Sequence, residues 1–129
     1  MYSFSQRSIT NLENVDERLK SICHELIKVI DFTVIEGFRT RERQKELFDK
    51  GFSKIDGISK KGKHNYFPSR AVDIIPYKKG RNPFDGSRES EEMFYKLAEE
   101  FKKVAKELNI DIVWGGDWES FKDLPHFQI

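Results

Sequence analysis

The chain has one cysteine in 129 residues, so no internal disulfide can form and the fold makes no demand on an oxidising compartment. Cys23 falls on an apolar helical stripe, where a thiol serves as a small buried hydrophobe. Long apolar runs are missing too. Nothing approaches the roughly 18 consecutive apolar residues of a membrane-spanning helix. The opening MYSFSQRSITNLENV has no apolar core of signal-peptide length, so synthesis in the cytoplasm without membrane insertion is expected. Neither sign of charge is in excess: 23 Lys and Arg stand against 22 Asp and Glu, a formal net charge of +1. A nucleic-acid-binding surface needs a basic surplus on one face, and none is written here. The short run Lys60-Lys61-Gly62-Lys63 reads as a solvated loop segment. There is no repeat, no low-complexity tract, and no G-x-G-x-x-G after a strand, which excludes a dinucleotide-binding βαβ unit.

What is present describes one domain over residues 1–129, with 37% hydrophobic and 35% charged residues: a single core under a charged exterior. Val15, Leu19, Ile22, Cys23, Leu26, Ile27 and Ile30 recur at gaps of three and four, predicting a helix over 15–30 with Asn14 as N-cap. FTVIEG (32–37) reads as a strand stopped by glycine, and Thr40 is placed to cap a helix over 41–50 that Gly51 ends. A polar loop follows over 51–63, then a buried strand, RAVDIIP (70–76). After a second loop, Met93, Phe94, Leu97, Ala98, Phe101, Val104, Ala105 and Leu108 line one face of a long helix. The acids Glu89, Glu91 and Glu92 in its first turns complement its dipole. IDIVWGG (110–116) and 126–129 read as the last two strands. Mixed helices and strands without a βαβα alternation predict an α+β domain whose small, mostly antiparallel sheet packs with helices.

His24 sits in the first helix beside its apolar stripe and reads as structural. His64 and His126 differ, lying where loops run into strands near acidic residues. Asp73 interrupts the apolar strand Ala71-Val72-Asp73-Ile74-Ile75, where an unpaired carboxylate costs several kcal/mol to bury. Such an Asp needs a cation: an ion pair with a Lys or Arg, or a metal. Alternation puts Asp73 and small Ala71 on one face, opposite Val72 and Ile74. In DLPHFQ, Asp123 precedes His126 by three residues, so it can reach the same cavity as a spare carboxylate. Two His and one Asp make a three-ligand zinc set with an open fourth position. Arg39, at the strand–helix junction in EGFRT, can hold a carboxylate or a developing oxyanion, or simply pair with Glu36 or Glu42. Trp114, Trp118, Tyr66 and Phe67 are the aromatics available to line a groove, core packing being the alternative for each.

IEGFRTRERQKELFDKG, KHNYFPSRAVDIIPY and WGGDWESFKDLPHFQI together resemble the zinc peptidases of the D-alanyl-D-alanine carboxypeptidase family. The likeness is greatest to its phage-endolysin branch, the L-alanyl-D-glutamate peptidases that cut bacterial peptidoglycan stems. The resemblance implies that His64, Asp73 and His126 bind Zn2+, that Asp123 is the catalytic base, and that Arg39 clamps the substrate or transition state. Gln44 would support that clamp, and Tyr66 and Trp118 would contact the substrate. It also implies the small fold shared by these peptidases and the Hedgehog signalling domain. Three departures stand out, beginning with two near the first ligand: Gly62 occupies a position where many members have Ser, and eight residues rather than six separate His64 from Asp73. The base is Asp where the carboxypeptidases commonly use Glu. The endolysin branch has a similar form in the last two respects.

The function so implied is zinc-dependent hydrolysis of the L-Ala–D-Glu bond by a monomer that stays in the host cytoplasm until it reaches the cell wall. Two rivals remain: a D-Ala-D-Ala carboxypeptidase or dipeptidase on the same metal site, and a zinc-containing wall-binding module without turnover. An intact Asp123 speaks against the module, which has no use for a base.

Overall fold

The computed structural model describes residues 2–55 and 62–129. Residues 56–61 of the expected loop over 51–63, including Lys60 and Lys61, lie outside the described residues. The expected α+β class holds: four helices pack with a four-stranded sheet.

The chain opens with a helix that hydrophobic periodicity does not announce, α1 (Gln6–Leu12), capped by Ser5, whose hydroxyl accepts from Ser8 N–H. Its buried residues are Ser8 and Leu12. Half of that inward face is therefore a serine, whose Oγ accepts from Val34 N–H at 2.9 Å. A helix anchored by a polar group leaves no apolar stripe to read.

The predicted helix over 15–30 is shorter, α2 (Glu17–Leu26), and its N-cap is Asp16 rather than Asn14. Asp16 Oδ1 accepts from Arg18 N–H at 2.9 Å, while Val15 is drawn into a bridge with Ser69. β1 (Phe32–Glu36) and α3 (Arg41–Asp49) follow, the latter capped by Thr40 as expected; Gly51 takes the left-handed conformation beyond it, at φ 79°. After β2 (Ala71–Pro76), Ser87 caps α4 (Arg88–Glu107), with Glu89 and Glu91 in its first turn.

The expected strand over 110–116 contracts to β3 (Val113–Trp114), because its partner β4 (His126–Gln128) is itself short and the ladder has only the rungs Val113–Gln128 and Trp114–Phe127.

The sheet order is β1-β2-β4-β3, all neighbours antiparallel. Alternation sorts its faces. Val34, Val72, Ile74 and Phe127 point into one hydrophobic cluster, completed by Leu19, Ile22, Cys23 and Leu26 of α2 and by Leu97, Phe101 and Val104 of α4. Phe101 stacks on Phe127 with ring centroids 4.0 Å apart. Burial pushes the Cys23 thiol up to about 12, so it stays a neutral hydrophobe. The other sheet face carries Glu36, Asp73 and His126 in one row, since Glu36 pairs with Asp73 and Asp73 with His126 across adjacent strands.

Candidate metal centre and its cleft

That row is the floor of the site. Asp73 is carried at the middle of the sheet and His126 beside it on β4; His64 arrives from elsewhere. A short 3-10 turn, Lys63–Asn65, lays His64 over the sheet. Its backbone is stitched down at both ends: Arg39 N–H donates to His64 O at 2.8 Å, and Arg70 N–H donates to Lys63 O at 3.0 Å. The intervening turn, with a cis Phe67–Pro68 bond, tucks in Ser69, whose hydroxyl donates to Ala71 O at 2.7 Å.

His64 Nε2 lies 3.2 Å and His126 Nδ1 3.3 Å from the same oxygen, Asp73 Oδ1. One donor atom from each of the three residues lies within 4.8 Å of the others, the one such group among the described residues.

Each imidazole is committed on its far side. His64 Nδ1 is 2.7 Å from Gly37 O, an oxygen that can only accept, so that nitrogen carries the hydrogen. His126 Nε2 likewise faces Gln128 Oε1 at 2.8 Å. In the neutral rings this leaves the lone pairs of His64 Nε2 and His126 Nδ1 both aimed at a carboxylate. Three lone-pair donors converge with no hydrogen between them, which is the donor chemistry of a metal site with its orienting carbonyls in place.

With a proton on the imidazoles, the same groups attract one another instead. Burial alone would raise Asp73, but the charges and hydrogen bonds of His64 and His126 outweigh it and hold the carboxyl far below its usual range. Burial opposes protonation of His126, yet its hydrogen bond to Asp73 raises it overall. Asp123 moves the other way: burial, then the negative charge of Asp73, raises it above an ordinary carboxylate.

These groups open on a cleft of about 690 Å³, within the range of small-ligand sites, that is also lined by Arg39, Gln44, Lys54, Tyr66, Trp118, Phe121 and Asp123.

Arg39 pairs with Glu36, one of the two partners expected for it. Its Nε and Nη2 donate to the two oxygens of Glu36 at 2.8 and 2.7 Å and Nη1 donates to Gln44 Oε1 at 2.9 Å, while Nη2 stands 3.7 Å from Asp73 Oδ2. Three of its five N–H groups are so engaged, leaving one on each Nη for a ligand. Gln44 is 2% exposed and its amide also donates to Ser53 Oγ and Ile55 O, so it buttresses Arg39 from behind.

Trp118 tilts against His126 with centroids 5.2 Å apart, and Tyr66 also faces the cleft. Trp114 and Phe67 do not line it. Trp114 is core, stacked near Phe127 with its indole N–H donating to Leu124 O, and Phe67 is an exposed ring packed edge-on to Phe38. His24 lies outside the cleft, edge-on to Phe4. Glu36 is one of the two partners expected for Arg39, whereas Gln128 was missed, although two residues from His126 on a strand it shares that residue's face by period alone.

Fold and site together define a small α+β protein with a buried His-Asp-His candidate metal centre and a spare carboxylate in an open cleft. The family model described as phage L-alanyl-D-glutamate peptidase matches residues 1–127, and the chain belongs to that family.

It is 33% identical over 112 residues to the peptidoglycan L-alanyl-D-glutamate endopeptidase CwlK of Bacillus subtilis (strain 168), covering 79% of this chain but 62% of CwlK. To the L-alanyl-D-glutamate peptidase of Escherichia phage T5 it is 27% identical over 124 residues, covering 95% of this chain and 85% of that one. The chain thus spans less than two thirds of CwlK and most of the phage T5 protein.

Among solved structures, the L-Ala D-Glu endopeptidase ChiX of Serratia marcescens superposes with a TM-score of 0.80 at 28% identity, over 98% of this chain and 88% of that one. The vancomycin-resistance D,D-dipeptidase VanXYg shares the fold, with a TM-score of 0.51 at 17% identity over 87% of this chain and 47% of the other.

Proposed function

We propose that the chain is a zinc-dependent peptidoglycan hydrolase that cuts the L-Ala–D-Glu bond of cell-wall stem peptides. The observation that carries this reading is the convergence of His64 Nε2, Asp73 Oδ1 and His126 Nδ1 in a cleft that also holds Asp123 and Arg39. The chemistry of two imidazoles and one carboxylate fits zinc, with the Gly37 carbonyl and the Gln128 amide orienting the rings. When bound there, zinc supplies Lewis acidity toward a carbonyl oxygen and a water.

The chain's own residues do the rest. Asp123, held above the usual carboxylate range by burial and by Asp73, is a stronger base than a solvated Asp. It takes the proton of the attacking water and hands it to the departing amine of D-glutamate. Arg39 directs its two unengaged N–H groups at the oxygen where charge gathers, and its bonds to Glu36 and Gln44 hold it in place beforehand. Trp118 and Tyr66 flank the peptide. The single domain acts as a monomer on the wall, and no described helix is long and apolar enough to cross a membrane.

The bond is chosen over D-Ala-D-Ala because the family and the more similar relatives share the L-alanyl-D-glutamate name, whereas the D,D-dipeptidase likeness extends to the fold. Mass analysis of digested peptidoglycan tests the choice. New amino termini on D-glutamate are expected, and release of free D-alanine instead would overturn it. Metal analysis of the purified protein should find about one zinc per chain, lost in His64→Ala.

A further inference from the structure

The cations of the cleft are not equivalent. Arg39 is consumed on three sides by Glu36 and Gln44, and Arg43 is paired with Glu46 at 3.2 Å. Lys54 has no ion pair with any described carboxylate. Its ammonium instead sits 3.4 Å from the centroid of the Phe121 ring.

Lys54 follows α3, and Phe121 precedes Asp123 by two residues; both line the cleft with the metal centre. Phe121 is 68% exposed and takes φ 54°, a left-handed conformation that a bulky aromatic rarely adopts. Such strain gathers at sites where a side chain has to be presented in one direction. Here the ring is presented to a lysine of the same cleft. A cation over an exposed ring keeps its charge and is held only weakly, so it can exchange the ring for a carboxylate, which binds it more strongly.

The geometry points to Lys54 as the residue that reads the free carboxylate of the D-glutamyl group, making the enzyme selective for stems in which that group is ionised. This rests on the L-Ala–D-Glu reading. A glutamyl residue acylated on nitrogen and extended through one carboxyl retains the other as an anion close to the scissile bond. Converting that anion to a carboxamide removes the charge while hardly changing shape, a difference that a cationic reader feels directly. Lys63 is the competing candidate: it too lacks a described carboxylate partner and lines the cleft, but its ammonium stands farther from its ring, 5.6 Å from the Tyr66 centroid.

The test compares kcat/KM on two synthetic stem peptides that differ only in whether this glutamyl carboxyl is free or amidated. Wild type is expected to prefer the free form by about tenfold or more, the strength of a hydrogen bond to a charged group. Lys54→Met and Lys54→Gln should bring the ratio close to one, Lys54→Arg should largely keep it, and Lys63→Met should leave it as in wild type. Lys54 is exposed, so these variants should retain bound zinc and melt as wild type does. A wild type that cuts both peptides equally, Lys54 variants that keep the preference, or a loss confined to Lys63→Met would each overturn the assignment while leaving the peptidase reading intact. Cleavage of neither peptide would overturn both.

Discussion

Gly115 offers a sharp test of how the cleft is held together, because its missing side chain is what lets two walls touch. A Cβ at this position would overlap the backbone oxygen of Asp123 and come within 3.0 Å of Asp123 Cβ and 3.1 Å of His126 Cβ. None of these atoms is the end of a flexible chain. The segment is also fastened, with Asp123 N–H donating to Gly115 O at 3.0 Å and His126 N–H to Asp123 O at 3.2 Å. Gly115→Ala therefore has to push the 123–126 segment outward as a unit.

Overpacking of this kind costs about 2 kcal/mol. With about 2.1 cal/mol/K of unfolding entropy per residue, that lowers Tm by roughly 7 °C in a chain of 129 residues. The effect on turnover should be larger, because a displacement of about 1 Å in a reacting group costs on the order of a hundredfold in rate. Calorimetry and a turbidity assay on purified cell walls measure the two separately. A Gly115→Ala protein that melts within a degree of wild type and clears walls at the same rate would refute the claim that this contact positions Asp123 and His126.

Three further outcomes are expected. Asp123→Ala should keep its metal and its melting temperature but lower wall lysis by about 10²–10⁴-fold, the range for a general base; unchanged lysis would remove Asp123 from that role. Gln128→Leu deprives His126 Nε2 of its acceptor at 2.8 Å and should weaken zinc binding by about 10–100-fold in a chelator competition, with little change in fold.

Asp16→Ala removes the N-cap of α2 and should cost about 1 kcal/mol in urea denaturation at neutral pH. The hydrogen bond from Arg18 lowers the Asp16 carboxyl below its ordinary value. Its contribution is therefore complete above the unfolded-state pKa of about 4 and is lost as pH falls through the lower folded-state value. The gap between variant and wild type should close in acid, and a gap that widened there would contradict the cap.

Much of the molecule was legible in one dimension. The periodic stripe of α4, the caps Thr40 and Gly51, and the apolar strand around Asp73 follow from local rules that need no partner. What failed locally failed for tertiary reasons. α1 escaped notice because its inward face uses Ser8 to receive Val34 N–H, a contact 26 positions away. Asn14 lost the cap to Asp16 because pairing of Val15 with Ser69 governs where α2 can begin. The last-but-one strand shrank because a strand is only as long as its partner allows. Spacing and composition could not tell Trp114 from Trp118, four positions apart, yet one lies in the core and the other over His126.

The sequence alone determined which donors exist: a carboxylate stranded among apolar residues at Asp73, and histidines at His64 and His126 that no helix stripe explains. It could leave Asp73 as an ion pair or a metal ligand, since burying a carboxylate demands a cation without specifying which. Only the tertiary structure decided that Asp73 and His126 are register partners, that Gly37 and Gln128 turn both imidazole lone pairs inward, and that the Lys54 ammonium meets the Phe121 ring. Those facts depend on strand register and on contacts between residues far apart in the chain, and neither is encoded in the spacing of any single motif.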